Sequence, residues 1–177
     1  PVDAHLSAFV QMGAENRSTS EVLHLQGELK PAHVILPEFS VTATENVLMA
    51  AALLPGETRI DIAAAEPHVQ EVEHLIQKMG ANVRGLGEHT VYVSGQKTLK
   101  AAEHRVTSDY LEAGTLATAA LVTRGRVRIH DVEMEQLLSF LDALRRFGAL
   151  WRYDPSDKTL FVDGELSSLQ AMNIRTN

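Results

Sequence analysis

The feature that most constrains this chain is a repeat. Three times an amphipathic segment ends in an apolar residue followed by Gly-Ala: Met12-Gly13-Ala14, Met79-Gly80-Ala81 and Phe147-Gly148-Ala149. Each time a short strand pair follows and closes in glycine, at Gly27, Gly95 and Gly164. The first set recurs at intervals of 67 and 68 residues, the second at 68 and 69. A fixed period of that length means one supersecondary unit used in tandem. The chain opens inside one copy and stops at the start of another, so it is expected to be a piece of a longer protein.

The middle copy reads from end to end. His33-Val34-Ile35-Leu36 is an apolar run between Pro31 and Pro37, predicting a short buried strand. Thr42 and Glu45 have the spacing of a capping box. The helix predicted from it, about 43–54, is rich in Ala, Leu and Met and is stopped by Pro55-Gly56. Residues 58–62 alternate as a strand. Pro67 opens a helix where its missing N–H costs nothing. Val69, Val72, Leu75, Ile76 and Met79 predict one buried stripe on that helix, and Gly80 a left-handed cap. Residues 83–86 and 90–93 read as a strand pair turned around Gly87.

The third copy repeats this order. A lead strand is predicted over 104–107, with Asp109 and Glu112 as the next capping pair. An Ala-rich helix ends at Gly125, a strand covers 127–130, and a helix carries Met134, Leu137, Leu138, Leu141, Leu144 and Phe147. Residues 150–153 and 159–162 pair around Asp154-Pro155-Ser156-Asp157. The first copy keeps only its second half, and residues 172–176 match a lead strand. Each unit is thus βαβαββ: a mixed four-stranded sheet with two helices on one face. The fold class is α/β (α+β). Such a thin unit needs neighbours packed on shared helices, and the polar stretch Gln96–Glu103 is read as the connection between assemblies.

Composition narrows the function. Of 177 residues 45% are hydrophobic and only 5% aromatic, so a sizeable aliphatic core is available. A formal charge of −7 lacks the basic footprint of a nucleic-acid binder, yet a helix N-terminus can still hold a small anion. No cysteine is present to form a disulfide, a thiolate metal site or a nucleophile. His68 and His74 miss the spacing of a zinc pair, and no metal or cofactor is expected. No apolar run approaches a membrane span, and no signal peptide is visible. These features predict a cytoplasmic protein without nucleic-acid or membrane partners. Trp151 and Tyr153 alternate on a strand and read as sheet packing; the arginines at 124, 126, 128, 145 and 146 read as solvated faces.

Several strings carry a resemblance. They are Pro1-Val2-Asp3-Ala4-His5-Leu6, residues 40–50 (Ser-Val-Thr-Ala-Thr-Glu-Asn-Val-Leu-Met-Ala), Ala65-Glu66-Pro67, residues 109–115 (Asp-Tyr-Leu-Glu-Ala-Gly-Thr) and Asn173-Ile174-Arg175-Thr176. In order and on the repeat, they resemble UDP-N-acetylglucosamine 1-carboxyvinyltransferases, the enolpyruvyl transferases of peptidoglycan synthesis. The resemblance covers nearly the whole chain. It implies an inside-out α/β barrel of repeated βαβαββ units. Residues 1–106 would be the later part of a first barrel domain and 107–177 the first unit of a second. The implied reaction moves enolpyruvyl from phosphoenolpyruvate to the 3′-hydroxyl of UDP-N-acetylglucosamine and releases phosphate, the remainder of the chain completing the enzyme.

The resemblance also implies site residues. Pro1, Val2, Asp3 and Ala4 match the segment that holds the uracil end of the nucleotide. Ser40, Val41 and Thr42 match the segment beside the pyrophosphate, where a helix opening faces an anion. Two positions depart from the pattern: Glu38 stands where the family often has Lys, and Thr42 where Gly is common. Glu38 is therefore expected to point away or to be offset by a cation. Glu66 and Asp109 are possible cleft residues, each equally readable as a helix-end carboxylate. The family's mobile loop lies before residue 1 and its proposed base after Asn177. No catalytic residue is expected within the chain, and the chain alone is expected to be inactive. A scaffold of the same units, or a 3-phosphoshikimate enzyme of the same fold, are the alternatives.

Overall fold

The repeat is written in the hydrogen bonds at its helix ends. Ala14 N–H donates to Phe9 O, Ala81 N–H to Ile76 O and Ala149 N–H to Leu144 O. The preceding glycines donate to Val10, Gln77 and Arg145, and their φ values are +106, +110 and +88°. This is the Schellman cap, in which glycine takes the left-handed position and two orphan carbonyls are satisfied. A third bond also recurs. Lys30, Lys100 and Gln170 each donate a backbone N–H to the apolar residue of the motif, Met12, Met79 and Phe147. Each strand pair therefore returns to cover the helix end that preceded it.

The computed structural model describes residues 2–171 and Asn173. Pro1 and, apart from Asn173, the tail strand expected over 172–176 lie outside them. The chain divides into two units, 1–105 and 106–177. Among the described residues no helix is long and apolar enough to cross a membrane.

The first unit begins with α1 (Asp3–Gln11) and a two-residue strand pair, β1 (Glu15–Asn16) with β2 (Leu25–Gln26). The complete copy follows as β3 (His33–Ile35), α2 (Val41–Ala52), β4 (Gly56–Asp61), α3 (Pro67–Lys78), β5 (Asn82–Arg84) and β6 (Thr90–Gly95). This is the expected βαβαββ order. Its sheet runs β3-β4-β6-β5, with β3 parallel to β4 and the other pairs antiparallel. Ala4, Ala8 and Met12 of the α1 segment, Val47, Leu48 and Ala51 of α2, and Val34, Ile60, Val91 and Val93 of the sheet share one core.

Three local expectations change here. Only Val34 of β3 is buried, because β3 is a sheet edge; Gln11 of α1 bonds both the N–H and the C=O of Ile35 and so occupies that open edge. Ser40, not Thr42, caps α2: its side chain accepts from Ala43 N–H, and the helix starts two residues early. On α3 the fully buried residues are Val69, Ile76 and, unexpectedly, Glu73. The stretch read as a connection is fastened to this unit. Lys78 Nζ donates to Glu103 O, and His104 Nε2 lies 2.9 Å from Glu71 Oε2.

The second unit contains α4 (Tyr110–Val122), β7 (Arg126–Ile129), a 3-10 turn (Met134–Leu137), α5 (Leu138–Arg146), β8 (Leu150–Asp154) and β9 (Thr159–Asp163). Its sheet has three strands, β7-β9-β8, all antiparallel. The lead strand expected at 104–107 does not form, and the fourth strand is absent among the described residues. His104 is drawn instead to Glu71 of α3. The helix expected from Met134 is split into the 3-10 turn and α5. Asp109 caps α4 as expected, accepting from Leu111 and Glu112 N–H. Trp151 packs under Arg145, and Tyr153 donates its hydroxyl to Val132 O.

Candidate functional site

Three helix openings of the first unit are joined by polar side chains. At the start of α1, Val2 is the N-cap without a side-chain cap bond, Asp3 is exposed and Ala4 is buried. At the start of α2, Ser40 caps, Val41 is half-buried and Thr42 is exposed. At the start of α3, Glu66 is a half-buried N-cap whose side chain makes no cap bond.

His5 joins the first two openings. Asn46 Nδ2–H of α2 donates to His5 Nδ1 at 2.8 Å. That fixes the neutral tautomer, leaving Nε2–H to donate to the Thr42 hydroxyl 3.1 Å away. The openings matched to the uracil and pyrophosphate segments are thus in direct contact. Thr44, fully buried, joins α2 to the segment before α3. Its hydroxyl donates to Ser40 O at 2.7 Å and accepts from Ala64 N–H at 3.0 Å.

The donors at α2 are backbone groups. Ser40 takes Ala43 N–H on its side chain and Thr44 N–H on its carbonyl. The N–H groups of Val41 and Thr42 have no acceptor among the described residues. Two free N–H groups and the positive end of a 12-residue helix are suited to an oxyanion. The Glu38 side chain is exposed, and no cation pairs with it among the described residues. Its own backbone carbonyl accepts from Ser40 N–H at 2.8 Å, shaping the turn before the cap.

Beside this opening the backbone is strained. Ile62, between β4 and the Thr44-bonded segment, has φ +62°, a rare region for a β-branched residue. Ala63 holds it in place by donating its N–H to His89 O and accepting from His89 Nδ1. The His89 ring packs at a tilt of 52° against Phe39, the residue before the cap, with centroids 4.5 Å apart.

His5, Asn46, Thr44, Phe39 and His89 are neighbours of these openings that motif reading passes over. His5 and the α2 residues Thr44 and Asn46 sit inside the strings that carry the resemblance, but only the contact between α1 and α2 gives them a role. Asp109 caps α4 in the second unit, an exposed side chain with a structural task.

Known proteins resemble this chain in sequence and fold. The UDP-N-acetylglucosamine 1-carboxyvinyltransferase of Treponema denticola is 37% identical over 159 residues, covering 90% of this chain and 37% of that protein. The protein of the same name from Paramagnetospirillum magneticum is 38% identical over 175 residues, covering 97% of this chain and 40% of that protein. The chain therefore spans about two fifths of the length of these curated relatives. Among solved structures, the enolpyruvyl transferase NikO of Streptomyces tendae superposes with TM-score 0.78 at 18% identity, over 92% of this chain and 42% of that one. EPSP synthase of Acinetobacter baumannii gives 0.67 at 21% identity, over 99% and 42%. These likenesses are of fold, the inside-out α/β architecture that the resemblance implied. The family model described as EPSP synthase (3-phosphoshikimate 1-carboxyvinyltransferase) matches residues 1–177, and the chain belongs to that family.

Proposed function

We propose that the protein transfers enolpyruvyl from phosphoenolpyruvate to the 3′-hydroxyl of UDP-N-acetylglucosamine, and that the first unit contributes nucleotide-binding surface. The observation that carries this is the junction of two helix openings through His5 and Thr42. A nucleoside diphosphate sugar has a base with hydrogen-bonding edges and, one ribose away, a doubly charged diphosphate. The α1 opening, with Val2, Asp3 and Ala4 beside Pro1, meets the base; the α2 opening, Ser40 to Thr42, meets the diphosphate through free N–H groups and helix dipole. The Thr42 hydroxyl accepts from His5, so its own proton is available to a ligand oxygen.

The finer reading follows from that substrate. Residues 1–106 serve as the later part of the first barrel domain and 107–177 as the first unit of the second, with the catalytic groups elsewhere in the full-length protein. The product feeds peptidoglycan synthesis in the cytoplasm. A 3-phosphoshikimate substrate is the second reading, favoured by the description of the matching family model. The 37–39% identity to proteins named for the UDP-sugar supports the first.

Isothermal titration of the full-length protein separates the readings. Heat with UDP-N-acetylglucosamine at micromolar to millimolar concentration, and none with shikimate 3-phosphate, supports the first. The reverse supports the second. Silence with both leaves the scaffold alternative.

A further inference from the structure

Glu73 is 1% exposed on the inner face of α3, and neither carboxyl oxygen has a hydrogen-bond partner. A buried carboxylate without a partner is strongly disfavoured, so burial favours the neutral form in the folded chain. The backbone of Gly87, in the turn 85–89 between β5 and β6, faces the carboxyl group and favours its charged form, too weakly to offset burial. That turn fits closely over α3: a Cβ at Gly87 would meet the Gln70 side-chain amide at 3.0 Å, and Gln70 Nε2–H donates to Ala65 O at 2.8 Å.

The far end of the same turn is His89, which bonds Ala63 twice and packs against Phe39 beside the Ser40 cap. From Glu73 a continuous set of contacts therefore reaches the α2 opening. It passes through Gly87, His89 and Phe39 on one side, and through Gln70, Ala65, Ala64 and Thr44 on the other. The strained Ile62 backbone lies between the two routes and relies on the His89 pairing to stay where it is.

We propose that Glu73 is a proton-linked switch for the α2 opening: neutral, it lets the 85–89 turn close over α3; ionised, it draws water beneath that turn and loosens the support of Phe39 and Ser40. Burial pushes its pKa up to about 7, which puts the change within the physiological range. Other titratable groups stand on the elements around α3. On α3, Glu71 bonds His104 and His74 is exposed, while His68 lies a turn nearer the helix start. On α2 there is Glu45, and on β5 Arg84, which pairs with Glu57. The turn carries Glu88 and His89, and the segment after β6 carries Glu103 and Arg105. β4 and β6 direct Arg59, Asp61 and Tyr92 to the opposite face of the sheet. No hydrogen bond joins any of these to Glu73.

The switch rests on the nucleotide reading for its consequence, and the test separates the two. UDP-N-acetylglucosamine is titrated into the full-length protein from about pH 6 to about pH 8.5, and amide exchange at residues 87–89 is followed over the same range. The native protein should lose roughly fivefold or more in affinity as pH rises, while Glu73→Gln should hold a flat profile. Exchange at 87–89, corrected for its intrinsic pH dependence, should accelerate in the native protein and not in Glu73→Gln. Glu73→Leu repeats the comparison should the glutamine variant fold poorly. A native affinity that does not change with pH, or a slope that survives in both variants, overturns the switch. Absence of binding at every pH overturns the nucleotide reading instead, and exchange at 87–89 alone then decides whether the turn answers to Glu73.

Discussion

Two carboxylates of the first unit sit in opposite environments, and each makes a prediction about acid and base. Asp61, on the outer face of the sheet, accepts from His33 Nε2, Arg59 and the Thr90 hydroxyl, which hold its pKa down at about 2. A depressed carboxylate contributes stability that is present above its unfolded pKa and lost as pH falls through the folded one. Asp61→Asn should therefore flatten the acid arm of the stability curve between about pH 4 and 2, as read by urea midpoints, and a parent-like arm would refute the assignment. Glu73 works the other way. Its raised pKa means that stability is full below the ordinary glutamate range and declines as pH climbs toward about 7, where the buried group at last ionises. Glu73→Leu should remove that decline and stabilise the protein by roughly 2 kcal/mol at pH 8 while changing little at pH 4. Equal effects at both pH values would mean that packing, not charge, sets the result. Asp61 lies at a strand end and Glu73 within an otherwise apolar helical stripe. Neither environment was legible in sequence, because each is made by residues from other elements.

At the scale of the element, the repeat was legible because its glycines answer to backbone geometry rather than to neighbours' side chains. The Gly-Ala pairs are Schellman caps. The closing glycines have a different reason, one that the period alone did not reveal. A Cβ on Gly95 would collide with the Ala51 and Leu54 carbonyl oxygens, and one on Gly164 with those of Ala120 and Gly125. In the second and third copies the last strand thus presses directly on the end of the Ala-rich helix. Gly95→Ala should cost more than about 2 kcal/mol, since rigid backbone must move, whereas Gly80→Ala has open space and faces only the strain of its positive φ, about 1 kcal/mol. Thermal melts of the two variants check this, and similar losses would undo the distinction. The cap of α2 was misplaced for a related reason. Thr42 and Glu45 have capping-box spacing, but Ser40 precedes them, and the Thr42 hydroxyl is taken by His5, which lies 37 residues away in sequence. Ser40→Ala should cost about 1 kcal/mol of stability and also weaken nucleotide binding, because the cap residue shapes the free N–H groups. A stability loss without an affinity loss would separate cap from site.

At the scale of the whole molecule, sequence strings were a good guide to the family, and net charge says little about any local anion site. A net charge of −7 does not argue against the proposed diphosphate site, because two free N–H groups and a helix dipole act within a few ångströms while net charge acts over the whole surface. The family strings locate α1 and α2, and folding brings them together through His5. What neither strings nor period foretold is that the lead strand of the last copy would give way, leaving β7 at the edge of a three-stranded sheet. The helices also carry apolar surface that residues 1–177 do not cover. On α4, Leu111 is 59% exposed and Val122 72%; on α2, Met49 and Leu53 are about half exposed. Side chains of this kind on alanine-rich helices are typical of faces made to pack against further elements. Residues 1–177 expressed alone should therefore melt broadly, bind a hydrophobic dye such as anilinonaphthalene sulfonate at native pH, and self-associate as concentration rises. The full-length protein should do none of these. Replacing Leu111 and Val122 by Lys should reduce dye binding and association of the isolated piece without raising its melting temperature by more than a few degrees, since the change alters exposed surface and leaves the Ala117 and Leu121 core contacts intact. A sharp, concentration-independent melt of a 1–177 monomer would show instead that the two units bury what they need by themselves.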